Sequence, residues 1–261
     1  MTYMLFLCSF TSLDVSNFKT SKVTEMVGMF QGCASLISLN LSNFDTSNVK
    51  HMRNMFDDCK ALSELYLSNF NVSNVVQMSC MFDDCHSLTS LDLSSFITTK
   101  ISNMHHMFSN CRKLKSLDLS NFNTSQVTTI HSMFQNCFSL EWLNINNFNT
   151  DKVKSFSYLF YHCSSLTSLN LTSFNTLKVV SMDCMFEGCT SLISLNLSNF
   201  ITTEVKNITH MFYSCVNLQY INLKNFSEIK LNTNKDIFNN VPDNITVCLN
   251  DKSNKILSLL K

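Results

Sequence analysis

The sequence predicts an α/β solenoid, with parallel strands on one face and short helices on the other. Two observations carry this. A Met-Phe pair or its close equivalent falls at 29–30, 55–56, 81–82, 107–108, 133–134, 159–160, 185–186, 211–212 and 237–238, always 26 residues apart. Cysteine keeps the same interval at 33, 59, 85, 111, 137, 163, 189 and 215. A period of this size, held without insertions, marks a stacked repeat in which each unit buries its apolar face only against its neighbours.

The first segment of a unit reads as a strand. In the unit that starts at Cys33, Leu39 and Leu41 lie two apart and share one face, while Ser38, Asn40 and Ser42 face the other way. Asn17, Asn43, Asn69, Asn121, Asn147, Asn199 and Asn225 precede the next repeat phenylalanine and read as turn formers, work that three glycines and one proline cannot cover. The second segment reads as a short helix. Val49, Met52 and Phe56 are three and four residues apart, and Thr46, Ser47 or Asn48 stands ahead of them as an N-cap.

Eight full units run from 33 to 240 after a partial first turn, in which Met4 to Cys8 matches the end of a repeat. The expected organisation is a solenoid over 1–240 and a C-terminal cap over 241–261. In the cap, Ile245 to Leu249 reads as a closing strand and Ile256 to Leu260 as a short apolar segment. Eight of the twelve cysteines are in register beside apolar positions, so they read as buried thiols acting as small hydrophobes and not as a disulfide ladder. Cys8, Cys80, Cys184 and Cys248 complete the count.

Lys plus Arg balance Asp plus Glu at 19 each, which gives no electrostatic argument for nucleic acid or an anionic membrane. No apolar run approaches the roughly 18 residues of a membrane span.

The strand signature LxxLxLxxF resembles that of leucine-rich repeats, with Phe44 where that family places Asn. The Met-Phe-x2-Cys that closes each turn resembles the BspA-like branch of these repeats, and LxLSNFDTSNVxxMxxMF resembles BspA-family surface proteins of bacteria such as mycoplasmas. The resemblance implies a leucine-rich-repeat-like solenoid, a cell-surface or extracellular location, and adhesion as the role. It also implies that a phenylalanine stack replaces the family's Asn corner. No signal peptide or anchor motif is read in the chain.

On the outward side of the strands, small polar residues are interrupted by Tyr66, Trp142 and Tyr220. These three, with Asp92, Asp118 and Asn144, form the expected binding face, because rigid amphipathic rings on a polar surface are what binding sites use. The column before Met-Phe holds Asn54, Cys80, His106, Ser132, Tyr158, Cys184 and His210. Cys80 with His106 reads as a chance juxtaposition, since no third orienting group recurs, and a metal site in this column lacks further ligands. Asp57, Asp58, Asp83 and Asp84 read as a solvated helix end. The expected function is a non-enzymatic scaffold for a protein or glycan partner, without cofactor. The competing reading is a structural spacer within a longer surface protein.

Overall fold

The computed structural model describes residues 1–250 together with Ile256 and Ser258. The predicted apolar segment 256–260 thus lies largely outside the described residues; Ile256 itself is buried, and its N–H donates to Glu228 Oε1 at 2.7 Å.

The chain is a right-through stack of 26-residue turns joined by parallel pairing. Three-residue strands form at Ser38–Asn40 (β1), Glu64–Tyr66 (β2), Ser116–Asp118 (β3), Trp142–Asn144 (β4), Ser194–Asn196 (β5), Tyr220–Asn222 (β6) and Thr246–Cys248 (β7). β1 pairs with β2, β3 with β4, and β5 with β6 and then β7, all in parallel and one turn apart. The closing strand read at 245–249 is β7. Residues 90–92 and 168–170 do not enter strands, so the face is divided into three blocks.

The predicted helices are absent: no helix occurs in residues 1–250. The second segment of each turn instead forms its own parallel column, with bridges running Glu25, His51, Gln77, Asn103, Thr129 and again Ser155, Ser181, Asn207, Thr233. Beyond it, alternate N–H groups point to the next turn. Met52, Asn54, Phe56 and Asp58 donate to the carbonyls of Gln77, Ser79, Met81 and Asp83 at 2.9–3.0 Å. A helix would need those donors for carbonyls four residues back. The backbone reason is a left-handed φ at two positions of every turn, 54 and 58 and their equivalents, with values such as 58° at Asn54 and 61° at Asp58. Residues in that region break a right-handed helix. All three glycines fall in these two columns: Gly28, Gly32 and Gly188. Val49, Met52 and Phe56 are buried as expected, but as inward residues of successive tight turns.

The bridge column skips one step, between Thr129 and Ser155, just before Phe156. This ring occupies a column otherwise built from Met or Ile up to Ile208, with Asn234 in the last turn, and it packs at 5.3 Å from Phe174 and 6.3 Å from Phe200. A close-packed core does not absorb such a volume change without a local shift.

The core is a set of columns. Phe30, Phe56, Phe82, Phe108, Phe134, Phe160, Phe186, Phe212 and Phe238 form an unbroken stack with ring centroids 5.6–5.8 Å apart. The second column, at Phe44, stacks at 6.2–6.3 Å, as the Phe-for-Asn exchange implied. The corner amide is not lost, however. It is moved back one residue: Asn121 Nδ2 donates to the carbonyls of Leu93 and Phe96 at 2.9 Å, and Asn199 does the same to Leu171 and Phe174 at 3.0 Å. The expected turn-forming asparagines are therefore cross-turn ties.

The expected N-cap is also a tie. Thr150 Oγ1 donates to Asn175 O at 2.7 Å and accepts from Asn175 N at 2.8 Å. Buried Val72 holds the same position in its turn, so the shape is tolerated without the hydroxyl. Thr150→Val should leave the Asn175 amide groups unpaired in the interior and lower stability by about 1–3 kcal/mol. Urea unfolding should show a lower midpoint at unchanged slope. An unchanged midpoint would mean that water replaces the hydroxyl.

Seven of the in-register cysteines are free and buried, and their thiols do more than fill space. Each donates to a phenylalanine carbonyl 29 residues back, from Cys59 to Phe30 O at 3.1 Å through Cys215 to Phe186 O at 3.1 Å. The eighth departs from the expectation: Cys33 is joined to Cys8 by a disulfide. Cys8 lies 25 residues earlier, on the adjoining turn, where stacking brings the two α-carbons to 4.6 Å.

Candidate functional site

Of the expected binding face, the three aromatics, Asp92 and Asp118 are exposed and Asn144 is half-buried. Tyr66 and Trp142 are each 52% exposed and Tyr220 is 37% exposed. Their neighbours across the ladder are small or polar: Ser116 pairs with Trp142, Asn40 with Tyr66, Ser194 with Tyr220. Period-two alternation explains this, since β4 buries Leu143 more deeply than Trp142.

The two interruptions of the strand face coincide with shallow depressions. One, of about 200 Å³, is lined by Trp142, Asn144, Asn146, Ser168 and Asn170. The other, of about 180 Å³, is lined by Asp92, Ser94, Asp118, Ser120 and Asn121. The structure therefore groups Trp142 with Asn144, and Asp92 with Asp118. It leaves Tyr66 and Tyr220 on separate blocks, β2 and β6.

The polar members also have a local structural role. Asp92 Oδ1 accepts the Ser94 N–H at 2.9 Å, and Asp118 Oδ1 accepts the Ser120 N–H at 2.9 Å. These backbone bonds hold both carboxyls below the usual range, so both are ionised at neutral pH. Asn144 Oδ1 accepts the Asn146 N–H at 3.3 Å, and it is half-buried. Each closes the turn that ends its strand, as Asn40 does with Ser42.

In the left-handed column, burial pushes the Cys80 thiol up to about 12, while burial and the neighbouring His131 and His105 push His106 down to about 4. Both shifts oppose a thiolate–imidazolium pair. The carboxyls of Asp57, Asp83 and Asp84 come within 4.8 Å of one another. They are not a solvated helix end: burial first, then mutual repulsion, raises Asp57 to about 6 and Asp83 to about 7, with Gln31 donating to Asp57 Oδ2 at 2.7 Å. The expectation that a metal site in the left-handed column lacks further ligands missed an acid from the neighbouring column. Cys184, Glu187 and His210 also place one ligating atom each within 4.8 Å. The available signal was an acid three residues after each in-column cysteine, with a histidine 26 residues after it.

Stacked parallel turns with leucines inside and polar residues outside define the leucine-rich-repeat class of solenoid. Residues 1–117, 37–142, 84–170 and 141–247 each match the family described as Mycoplasma protein of unknown function, DUF285. The chain belongs to that family, and its fold is that of a leucine-rich-repeat solenoid. It is similar to a leucine-rich repeat protein from Bacteroides ovatus, with 20% identity, TM-score 0.53, and coverage of 87% of this chain and 57% of that one. The chain thus spans a little over half the length of that neighbour. A weaker likeness is to the T. pallidum leucine-rich repeat protein, at 24% identity, TM-score 0.47, and 69% and 76% coverage. No curated protein sequence matches. No helix among the described residues is long and apolar enough to cross a membrane.

Proposed function

We propose that this chain is a non-enzymatic repeat scaffold that binds a protein or glycan on its strand face at the bacterial surface. The observation that carries the reading is Trp142: a large exposed ring on a ladder of small polar residues, at the rim of a depression that also presents the Asn144, Asn146 and Asn170 amides. A ring beside amides suits a sugar face or a polar peptide. The surface location rests on the family resemblance, and the formal net charge of zero favours neither nucleic acid nor an anionic membrane.

Trp142 is the sole tryptophan, so its fluorescence reports directly on this face. Panels of extracellular-matrix proteins and mucin-type glycans should contain a ligand that changes its emission. Trp142→Ser restores the residue of the neighbouring turns. It should leave stability within roughly 0.5 kcal/mol and weaken that ligand by 1 kcal/mol or more, about fivefold. Exposed Arg53, on the other side of the turn, serves as control: Arg53→Ser should change neither. Binding that survives Trp142→Ser at full strength moves the site off the strand face.

A further inference from the structure

The chain carries one set of ligand chemistries twice. Cys80, Asp83 and His106 recur as Cys184, Glu187 and His210, each 104 residues or four turns later. The cysteine and histidine sit at left-handed positions of consecutive turns, with φ of 53° at Cys184 and 56° at His210. In the first set Asp83 Oδ2 stays 3.9 Å from His106 Nδ1. The longer glutamate of the second set brings Glu187 Oε2 to 3.5 Å from His210 Nδ1, with a Cys184 sulfur completing a cluster inside 4.8 Å.

Two further features point to an occupant. Among the described residues, Glu187 Oε2 is buried without a full hydrogen bond, facing only His210 Nδ1 at 3.5 Å and the Cys184 thiol. A buried carboxylate oxygen met so weakly is costly unless a cation or a stronger donor completes it. The other ring nitrogen of His210, Nε2, faces Asp236 Oδ2 at 3.6 Å from the following turn. A carboxylate on that side favours the tautomer with its proton on Nε2, which leaves Nδ1 free to ligate.

We propose that Cys184, Glu187 and His210 bind one borderline-soft divalent cation of the zinc type, with Asp236 orienting the imidazole. The Cys184 sulfur, a Glu187 oxygen and His210 Nδ1 are the ligands. Thiolate and carboxylate together balance the two positive charges, and the thiol proton leaves to solvent as the metal–sulfur bond forms. Three protein ligands leave one tetrahedral position for water. Thiolate with imidazole selects against calcium and magnesium, which take oxygen ligands. Cys184 is buried and the His210 side chain is 33% exposed, so the ion enters past the ring. Once bound, it staples turn 182–188 to turn 208–214.

The test is titration of the intact, metal-stripped chain with cobalt(II) under reducing, non-chelating conditions, because only sulfur ligation gives a thiolate-to-cobalt charge-transfer band. The expected result is a band that saturates at one cobalt per chain and disappears on addition of zinc. Cys184→Ser should abolish it. Glu187→Gln should weaken binding at least tenfold, and Asp236→Asn roughly 10–100-fold with the band retained. Cys80→Ser should change nothing. The proposal is overturned if the wild-type chain shows no band, if the band survives Cys184→Ser, or if Cys80→Ser removes it. Should circular dichroism show that Cys184→Ser does not fold, unchanged affinity in both Glu187→Gln and Asp236→Asn overturns it.

Discussion

Raising the pH to about 10 should unfold this protein cooperatively. The cause is the column of seven free in-register thiols. Burial pushes Cys59, Cys137 and Cys189 up to about 12, and Cys85, Cys111, Cys163 and Cys215 well above the ordinary value of 9.0. A folded-state pKa above the unfolded one means that the native chain holds protons the unfolded chain releases. The contribution is therefore complete below about pH 9, and stability falls as the pH rises from there toward the folded values. Each thiol approaches a slope of about 1.4 kcal/mol per pH unit. Seven acting together exceed the roughly 5–15 kcal/mol stability of an ordinary domain within one to two units. Urea unfolding followed by circular dichroism from pH 7.5 to 10.5 should show this steep loss. Replacing Cys111 and Cys137 by Ser keeps a donor for the Phe82 and Phe108 carbonyls but removes two titrating groups. The proton number of the transition should then fall by about two. A stability that is flat across this range would show that the thiols are not retained in the protonated form by the fold.

The same columns show what the sequence makes legible. The 26-residue interval, the inward leucines, both phenylalanine stacks and the outward direction of Trp142 follow from period-two alternation and from repetition, which are local. The helix reading failed because three- and four-residue spacing of Val49, Met52 and Phe56 also arises from a run of tight turns. The discriminating signal was at the left-handed columns. Gly32, Asp58, Asp84, Asn110, Asn136, Gly188 and Asn240 fall in one of them, and these are the residue types that tolerate positive φ. The Cys8–Cys33 disulfide was hidden by a one-residue deletion that puts Cys8 out of the 26-residue register but still beside Cys33. The Cys184, Glu187 and His210 cluster depends on side-chain reach between turns: Asp83 and Glu187 occupy equivalent positions, and only the longer side chain closes the group. Spacing alone does not distinguish them.

Removing one ring from the middle of the long stack should be the most damaging single change. Phe134 is 1% exposed and stacks on Phe108 at 5.8 Å and on Phe160 at 5.7 Å. Phe134→Ala removes the ring from between two planes that the backbone ladder holds apart. The donation from Ser132 N to Ser157 O, at 3.1 Å, fixes the turn spacing beside it, so the cavity cannot close by sliding. The expected cost is about 3–5 kcal/mol. Phe134→Leu, which keeps most of the volume, should cost roughly 1–2 kcal/mol. Phe238 offers the internal comparison, because it has a ring neighbour on one side only, Phe212 at 5.6 Å, and is itself 9% exposed. Phe238→Ala should cost about half as much as the central change. The shape of the transition adds a second reading. In a solenoid each turn is stabilised by its neighbours, so a break at Phe134 uncouples the turns before it from the turns after it. Urea unfolding of Phe134→Ala should then broaden into two steps, while Phe238→Ala should stay single and merely shift. Equal costs at the two positions would mean that the rings stabilise only their own turns, and that the ladder bonds alone couple the stack.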